Sequence, residues 1–323
     1  MLLVGTRKKP RAPQQRRYLA SGLAKTCPQA IGYQKRSGEV VMGVFAFKDK
    51  TVIVTGASSG IGKALAFRLA SQGARLALAA RNAERLESVA EECCQRGAKA
   101  LALPTDVANE EQCQALIQRT YEEYGQIDML INNAGIGVAS TLEDLPNLTL
   151  FKQVIDVNFY GTVYCSYYAL PYLKKTKGRL VNISSLGGKL AIPFNTSYIA
   201  SKFAVIGFSD SLRMELAQAG VSVTAICPYW VVTEFHEHFM NKDGQPKGPS
   251  GRAIYTRKMM TADECAKIAL KGALKRKREV MMGPGSLAVW LKLLAPGLLD
   301  KFIMTTVLRP AIERLSRSVN MAE

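Results

Sequence analysis

Acidic residues are in short supply in this 323-residue chain: 26, against 43 lysines and arginines, for a formal charge of +17. Histidine and tryptophan, at two residues each, are scarcer still. His236 and His238 stand together in His236-Glu237-His238 without further spaced ligands, so no metal centre is expected there, only a polar loop near a pocket. The seven cysteines are scattered and include no Cys-x-x-Cys pair. That argues against a disulfide framework or a zinc site and fits a reducing, cytoplasmic compartment. No uninterrupted apolar run reaches the roughly 20 residues of a membrane span, and the amino terminus lacks the continuous apolar segment of a secretion signal. The basic excess invites a nucleic-acid reading. No aromatic-basic platform for bases accompanies it, and solubility or contact with an anionic surface explains it as well.

The charge is unevenly placed. Residues 1–42 hold nine bases and one acid and show no strand or amphipathic register. They read as a disordered basic tail or as an upstream extension with Met42 as the working start, in preference to a transit peptide. A local basic run, Lys275-Arg276-Lys277-Arg278, lies far downstream. Between them is the material of a full core, with 48% of the chain apolar and 21% charged. One domain can use most of it.

The folded pattern begins with an apolar run, Thr51-Val52-Ile53-Val54, followed by Thr55-Gly56-Ala57-Ser58-Ser59-Gly60-Ile61-Gly62 and a helical pattern from Lys63. This is strand, glycine turn, helix. Glycines allow close backbone approach, and the first helical turn offers unpaired N–H groups and a positive dipole end to a phosphate. In that context the turn predicts dinucleotide binding; a plain strand-to-helix turn is the alternative. Further short apolar runs, Leu76–Ala79, Ala100–Leu103, Ile127–Ile131, Leu180–Ile183 and Val221–Ile226, alternate with helix-length segments. Such alternation predicts an α/β fold with a doubly wound parallel sheet covered on both faces. Right-handed crossovers then gather Gly56, Asn133, Ser185 and Pro228 on one edge of the sheet.

Tyr198 and Lys202 are four residues apart in Ser197-Tyr198-Ile199-Ala200-Ser201-Lys202, and Ser185 lies 13 residues upstream at a strand end. Residues four apart share one helix face. An ammonium beside a phenol favours phenolate, so Lys202 is expected to lower the pKa of Tyr198 towards the range useful to a general acid or base. Alone, such a pair is an ordinary exposed helical neighbour pair; its company makes it informative.

Thr55-Gly56-Ala57-Ser58-Ser59-Gly60-Ile61-Gly62, Asn132-Asn133-Ala134-Gly135, Asn158, Ser185 and Tyr198-x-x-x-Lys202 together resemble the short-chain dehydrogenase/reductase family, over roughly Phe47 to Met282. The resemblance implies a Rossmann-type sheet and an oxidoreductase. It implies that Tyr198 gives or takes the proton, that Ser185 holds the substrate oxygen, and that Lys202 binds the nicotinamide ribose. Asn158 would support a water linking Lys202 to solvent. Gly56, Ser58, Ser59, Gly60, Ile61 and Gly62, together with Asn133, Ala134 and Gly135, would line the cofactor, with Pro228, Val231 and Thr233 at its nicotinamide end. One departure from the family pattern is Pro228-Tyr229 where Pro-Gly is common, and it should alter the loop that follows.

Cofactor preference is read at the end of the second strand, where the run Ala79-Ala80-Arg81-Asn82 offers no acid for a ribose. Arg81 presents a planar fork suited to a 2′-phosphate, so NADP(H) is expected over NAD(H); the alternative has Arg81 capping a loop beside Glu84. In Thr105-Asp106-Val107, Asp106 and Val107 resemble the family's adenine contacts. Asp106 is equally placed as an N-cap for the helix beginning near Asn109.

Apolar residues after Ser185 and Pro228, among them Leu186, Leu190, Ile192, Phe194, Tyr229, Trp230, Phe235 and Phe239, are expected to line a pocket for a lipophilic ketone or alcohol; core or lid packing is the competing reading. Leu190, Phe194, Tyr229 and Trp230, with Ser185, are the named substrate contacts. The sequence around Gly188-Lys189-Leu190 is similar to hydroxysteroid dehydrogenases and ketosphinganine reductases. The organisation expected is thus a basic extension (1–42), a dehydrogenase domain (43–285) and an apolar helical extension (286–323), in a homo-oligomer. The extension is interrupted by Lys292, Pro296, Gly297 and Asp300. It is read either as a peripheral membrane anchor working with the basic run at 275–278, or as packing over the pocket or a second subunit. A non-catalytic NADP-binding scaffold or redox sensor is the rival function. It would typically lack a catalytic residue, and none is missing here.

Overall fold

The computed structural model describes residues 46–248, 259–283 and 285–308. The amino-terminal extension to residue 45 and the last fifteen residues lie outside them.

Seven strands form one parallel sheet: β1 (Thr51–Thr55), β2 (Arg75–Ala80), β3 (Lys99–Pro104), β4 (Met129–Asn132), β5 (Arg179–Ile183), β6 (Ser222–Cys227) and β9 (Glu279–Met281). Their order is β3-β2-β1-β4-β5-β6-β9. The strands of the sheet centre are buried throughout, which is why they read as continuous apolar runs rather than alternating ones. The chain runs outward from β1 to β3, then returns to place β4 on the other side of β1, in register at Val52–Met129. This reversal opens a crevice at the carboxyl ends of β1 and β4.

Helices cover both faces. On one, α1 (Gly60–Ala70), α2 (Ala83–Gln95) and α7 (Ala262–Leu274) bury Leu65, Leu69, Leu86 and Leu270 against Val52, Leu76 and Ile131. On the other, α3 (Glu110–Tyr124), α5 (Gly161–Thr176) and α6 (Thr196–Glu215) bury Leu116, Leu173 and Leu212 against Ile53, Leu130 and Leu180. Asn82 and Asn109 cap α2 and α3 by accepting from the amides of Arg85 and Gln112, and Thr261 with Glu264 forms a capping box on α7.

The helix α4 (Thr149–Ile155) runs into α5 through a π-helical turn, Asp156–Tyr160. The widened turn carries Asn158. Short strands β7 (Val231–Val232) and β8 (Met260–Thr261) pair apart from the main sheet. Neither they nor β9 stand out in the sequence, because two or three residues are too few to show a period.

The apolar carboxyl-terminal segment is two helices, α8 (Gly285–Leu294) and α9 (Pro296–Ile303). Pro296 sits at the first position of α9, where its missing N–H costs nothing. Leu299 is buried with Leu186 and Leu190, and Lys292 Nζ donates to the Lys189 carbonyl at 2.9 Å. The extension therefore lies on the segment that follows β5.

Candidate active site

The glycine turn connects β1 to α1. Gly56 and Gly60 have φ of +65° and +52°, and a Cβ on Gly62 would stand 2.2 Å from the Gly56 carbonyl oxygen. Only glycine fits there. Thr55 ties the turn to β4: its Oγ1 accepts from the amides of Asn133 and Ala134 at 3.0 and 3.1 Å, and Asn133 Nδ2 donates back to the carbonyls of Thr55 and Gly56. The Ser59 side chain makes no capping bond to α1. The first amides of this 11-residue helix are thus left without a cap from Ser59, as a phosphate-binding turn requires.

Across the crevice, α6 brings Tyr198, Ser201 and Lys202 to the end of β5. The hydroxyl of Ser185 is hydrogen-bonded to the Tyr198 phenol and also accepts from the Gly187 amide at 3.0 Å. Lys202 is 4% exposed, with Nζ 3.0 Å from the Ile183 carbonyl oxygen and 5.7 Å from the Tyr198 ring centroid. Asn158 accepts from the Ile136 amide at 2.8 Å and donates to Ser201 Oγ at 2.9 Å. A Cβ on Gly135 would come within 3.3 Å of Asn158 Oδ1 and 3.5 Å of Lys202 Nζ, so these groups meet over one glycine. Ser185, Tyr198, Lys202, Asn158 and Gly135, predicted from separate segments, converge.

The electrostatics differ from the expectation. Burial pushes the Tyr198 phenol up to about 12, and the Ser185 hydrogen bond only partly offsets this. Burial likewise pushes the Lys202 ammonium down, to about 8. Lys202 does not make the phenol acidic here: its own charge is disfavoured by the same desolvation, and it points at the Ile183 carbonyl. Tyr198 is protonated at neutral pH. A protonated phenol, a hydroxyl bonded to it and a buried amine beside a crevice can deliver a proton to an oxygen.

Of the remaining cofactor-side residues, Arg81 is exposed at the end of β2 and has no ion-pair partner among the described residues. It does not cap α2; Asn82 does. Asp106 is not the α3 cap either, since Asn109 takes that place, and its Oδ1 accepts from the Ala108 amide at 3.1 Å. The Val107 side chain is 6% exposed and packs against Gly161, which leaves only its backbone for a ligand. Ser58 and Ile61 are partly buried in the glycine turn. Pro228 is buried and accepts from the Leu186 amide at 2.8 Å, joining the two substrate-side loops. Val231 is buried in β7, while Thr233 abuts Gly60, where a Cβ would lie 3.3 Å from it. An ion pair absent from the sequence reading, Arg85 to Glu234 at 3.0 Å, holds this loop to α2.

The substrate side is aromatic. Rings of Phe235 and Phe239 lie 5.9 and 5.7 Å from Tyr198, centroid to centroid. His236, expected in a polar loop, is instead packed between Trp230 and Phe239, and burial holds its imidazole down to about 4. Among the described residues no His, Cys, Asp and Glu cluster could hold a metal ion. Leu190 is 9% exposed and meets α8 and α9 rather than Tyr198. Tyr229, 40% exposed, packs beside Gly283 and Trp230. Phe194 adopts φ of +65°, a strained choice for an aromatic residue, and its carbonyl accepts from Ser140 at 2.9 Å.

Residues 50–244 match the model of the short chain dehydrogenase family. A protein of Pinus massoniana named 11-beta-hydroxysteroid dehydrogenase is 36% identical over 236 residues, which cover 72% of this chain and 66% of that protein. A solved alcohol dehydrogenase of Thermococcus sibiricus, complexed with 5-hydroxy-NADP, is 29% identical at a TM-score of 0.63, covering 73% of this chain and 96% of that one. A short chain dehydrogenase/reductase of Burkholderia phymatum, complexed with NAD, is 27% identical at a TM-score of 0.69, covering 79% and 96%. With the glycine turn, the crevice and the Ser-Tyr-Lys cluster in place, this chain belongs to the short-chain dehydrogenase/reductase family.

Proposed function

We propose that the protein is an NADP(H)-dependent carbonyl reductase for lipophilic ketones, with Tyr198 the proton donor. The observation that carries this is the protonated Tyr198 phenol, hydrogen-bonded to Ser185 and enclosed by Phe235 and Phe239. A phenol with a pKa of about 12 holds its proton at neutral pH and can donate it to a carbonyl oxygen. Ser185 orients the carbonyl oxygen. Lys202 makes one hydrogen bond within the described residues, to Ile183, and keeps donors for ribose hydroxyls. The glycine turn holds the pyrophosphate at the start of α1, and Arg81 takes the 2′-phosphate. The bound nicotinamide supplies the hydride. The aromatic walls exclude water and fix the ketone in near-attack geometry. Steady-state assays of a lipophilic ketone panel with NADPH and NADH test the reading; a higher kcat/KM with NADH, or no ketone reduced, refutes it.

The exposed face of α8 and α9 favours a second role at the same time, peripheral membrane contact. Trp290, Leu293, Leu294, Leu298 and Phe302 are 60 to 81% exposed on two helices too short to span. The basic run contributes less than expected, because Arg276 bonds the carbonyls of Lys177 and Gly220, and Arg278 pairs with Asp210. Flotation with anionic vesicles should retain the wild type and lose Trp290→Glu with Leu294→Glu; equal retention refutes the contact.

A further inference from the structure

Three loops at the carboxyl edge are stitched into a roof over Tyr198. The strip after β4 is the seam: Gly137 accepts from the Met240 amide at 2.9 Å, Ala139 donates to the Met240 carbonyl at 2.9 Å, and Ser140 donates to the Phe194 carbonyl at 2.9 Å. Phe239 is therefore pinned on both sides, since its own carbonyl accepts from Lys247 at 2.8 Å. With the backbone fixed, its ring has only side-chain torsions left.

Those torsions are blocked as well. Phe235 meets the Phe239 ring edge-on at 5.1 Å, His236 stacks on it at 5.8 Å, and Tyr198 stands 5.7 Å away. The opening that remains is the one at Gly137. A Cβ there would sit 2.4 Å from Phe239 Cζ, well inside van der Waals contact, although the Gly137 backbone itself is not in the left-handed region. Glycine is thus required at 137 by the ring and not by the chain.

We propose that the Phe239 ring, seated in the notch left by the missing side chain of Gly137, selects substrates by shape. It admits flat or slender carbonyl compounds to Tyr198 and turns away those branched beside the carbonyl. The inference rests on the carbonyl-reducing reading above. Gly137 acts through Phe239 and is a positioning residue; Phe239 is the contact.

The test is a double-mutant cycle read as a preference. Wild type, Gly137→Ala, Phe239→Ala and the double variant are assayed with NADPH on a flat aryl methyl ketone and on a tert-butyl ketone. Phe239→Ala should move the ratio of kcat/KM towards the branched ketone by roughly tenfold, the scale of one pocket contact, whereas Gly137→Ala, whose added methyl drives the ring out of its notch, should move it further towards the flat ketone. The double variant should match Phe239→Ala, because without the ring the methyl at 137 has nothing to displace. An unchanged ratio, or two effects that multiply, overturns the inference. Phe239→Leu, which keeps an apolar side chain, replaces the alanine variant if that fails to fold. Should the wild type reduce neither ketone, the reading of the reaction falls. Calorimetric binding of both ketones to NADP+-loaded protein then reads the preference, and single variants that bind with the wild-type preference overturn the inference.

Discussion

Lys202 donates to the carbonyl oxygen of Ile183 at 3.0 Å, at the end of the strand that leads into Ser185. The contact fastens α6 to β5 and holds the ammonium beneath the crevice floor, 5.7 Å from the Tyr198 ring centroid. It makes Lys202 a buried cation with donors facing the site. The phenol is left to burial and to Ser185.

Replacing Tyr198 by Phe removes the hydroxyl and keeps the ring against Phe235 and Phe239. Turnover should fall by about 10²- to 10⁴-fold, the scale of a lost general acid. NADPH affinity, measured by fluorescence titration, should stay within a factor of about two, because the glycine turn and Arg81 are untouched. Substantial retained turnover would remove Tyr198 from its role.

Lys202 loses its proton near pH 8 in the folded protein, against 10.5 when unfolded. Between these values the unfolded state binds more protons, so stability rises with pH. Tyr198 works in the opposite sense and later: its contribution is full below pH 10.0 and lost towards 12. The unfolding free energy of the wild type relative to Lys202→Met should therefore climb from pH 8 to pH 10. Urea denaturation across that window checks it, and a flat difference would mean that the ammonium is not desolvated.

Arg81→Ala should lower kcat/KM for NADPH and leave that for NADH nearly unchanged. A charge-assisted hydrogen bond left unmade costs about 1.5–3 kcal/mol, roughly ten- to a hundredfold. Equal losses with both cofactors would place the 2′-phosphate elsewhere.

Leu299 is 6% exposed and clamps α9 onto Leu186 and Leu190. Leu299→Ala should cost about 2–3 kcal/mol of docking. Amide exchange should accelerate in Pro296–Ile303 and not in the sheet. Unchanged exchange there would show that Lys292 and the remaining contacts suffice.

Short-range signals were legible. The buried strands announced themselves as apolar runs, the glycine turn by its place between strand and helix, and the Tyr198–Lys202 pair by its spacing. The alternation also put Ser185 at the sheet's carboxyl edge, where its hydroxyl meets the Tyr198 phenol. Less legible were contacts between segments far apart: Arg85 with Glu234, Leu190 with α9 rather than the pocket, and His236 inside an aromatic cluster. Asp106 looked like a helix cap by sequence, yet Asn109, one residue before α3, is better placed. Gly137 carried no signal, because its need is set by a ring 102 positions away.

The amino-acid order alone settled the α/β alternation, the glycine turn between first strand and first helix and the helix face shared by Tyr198 and Lys202, since each depends on neighbours within a turn or a strand. Tertiary structure decided how those groups are charged and what surrounds them. Desolvation sums over every element packed on a side chain, and it moved Tyr198 and Lys202 towards their neutral forms, against what their spacing alone suggested.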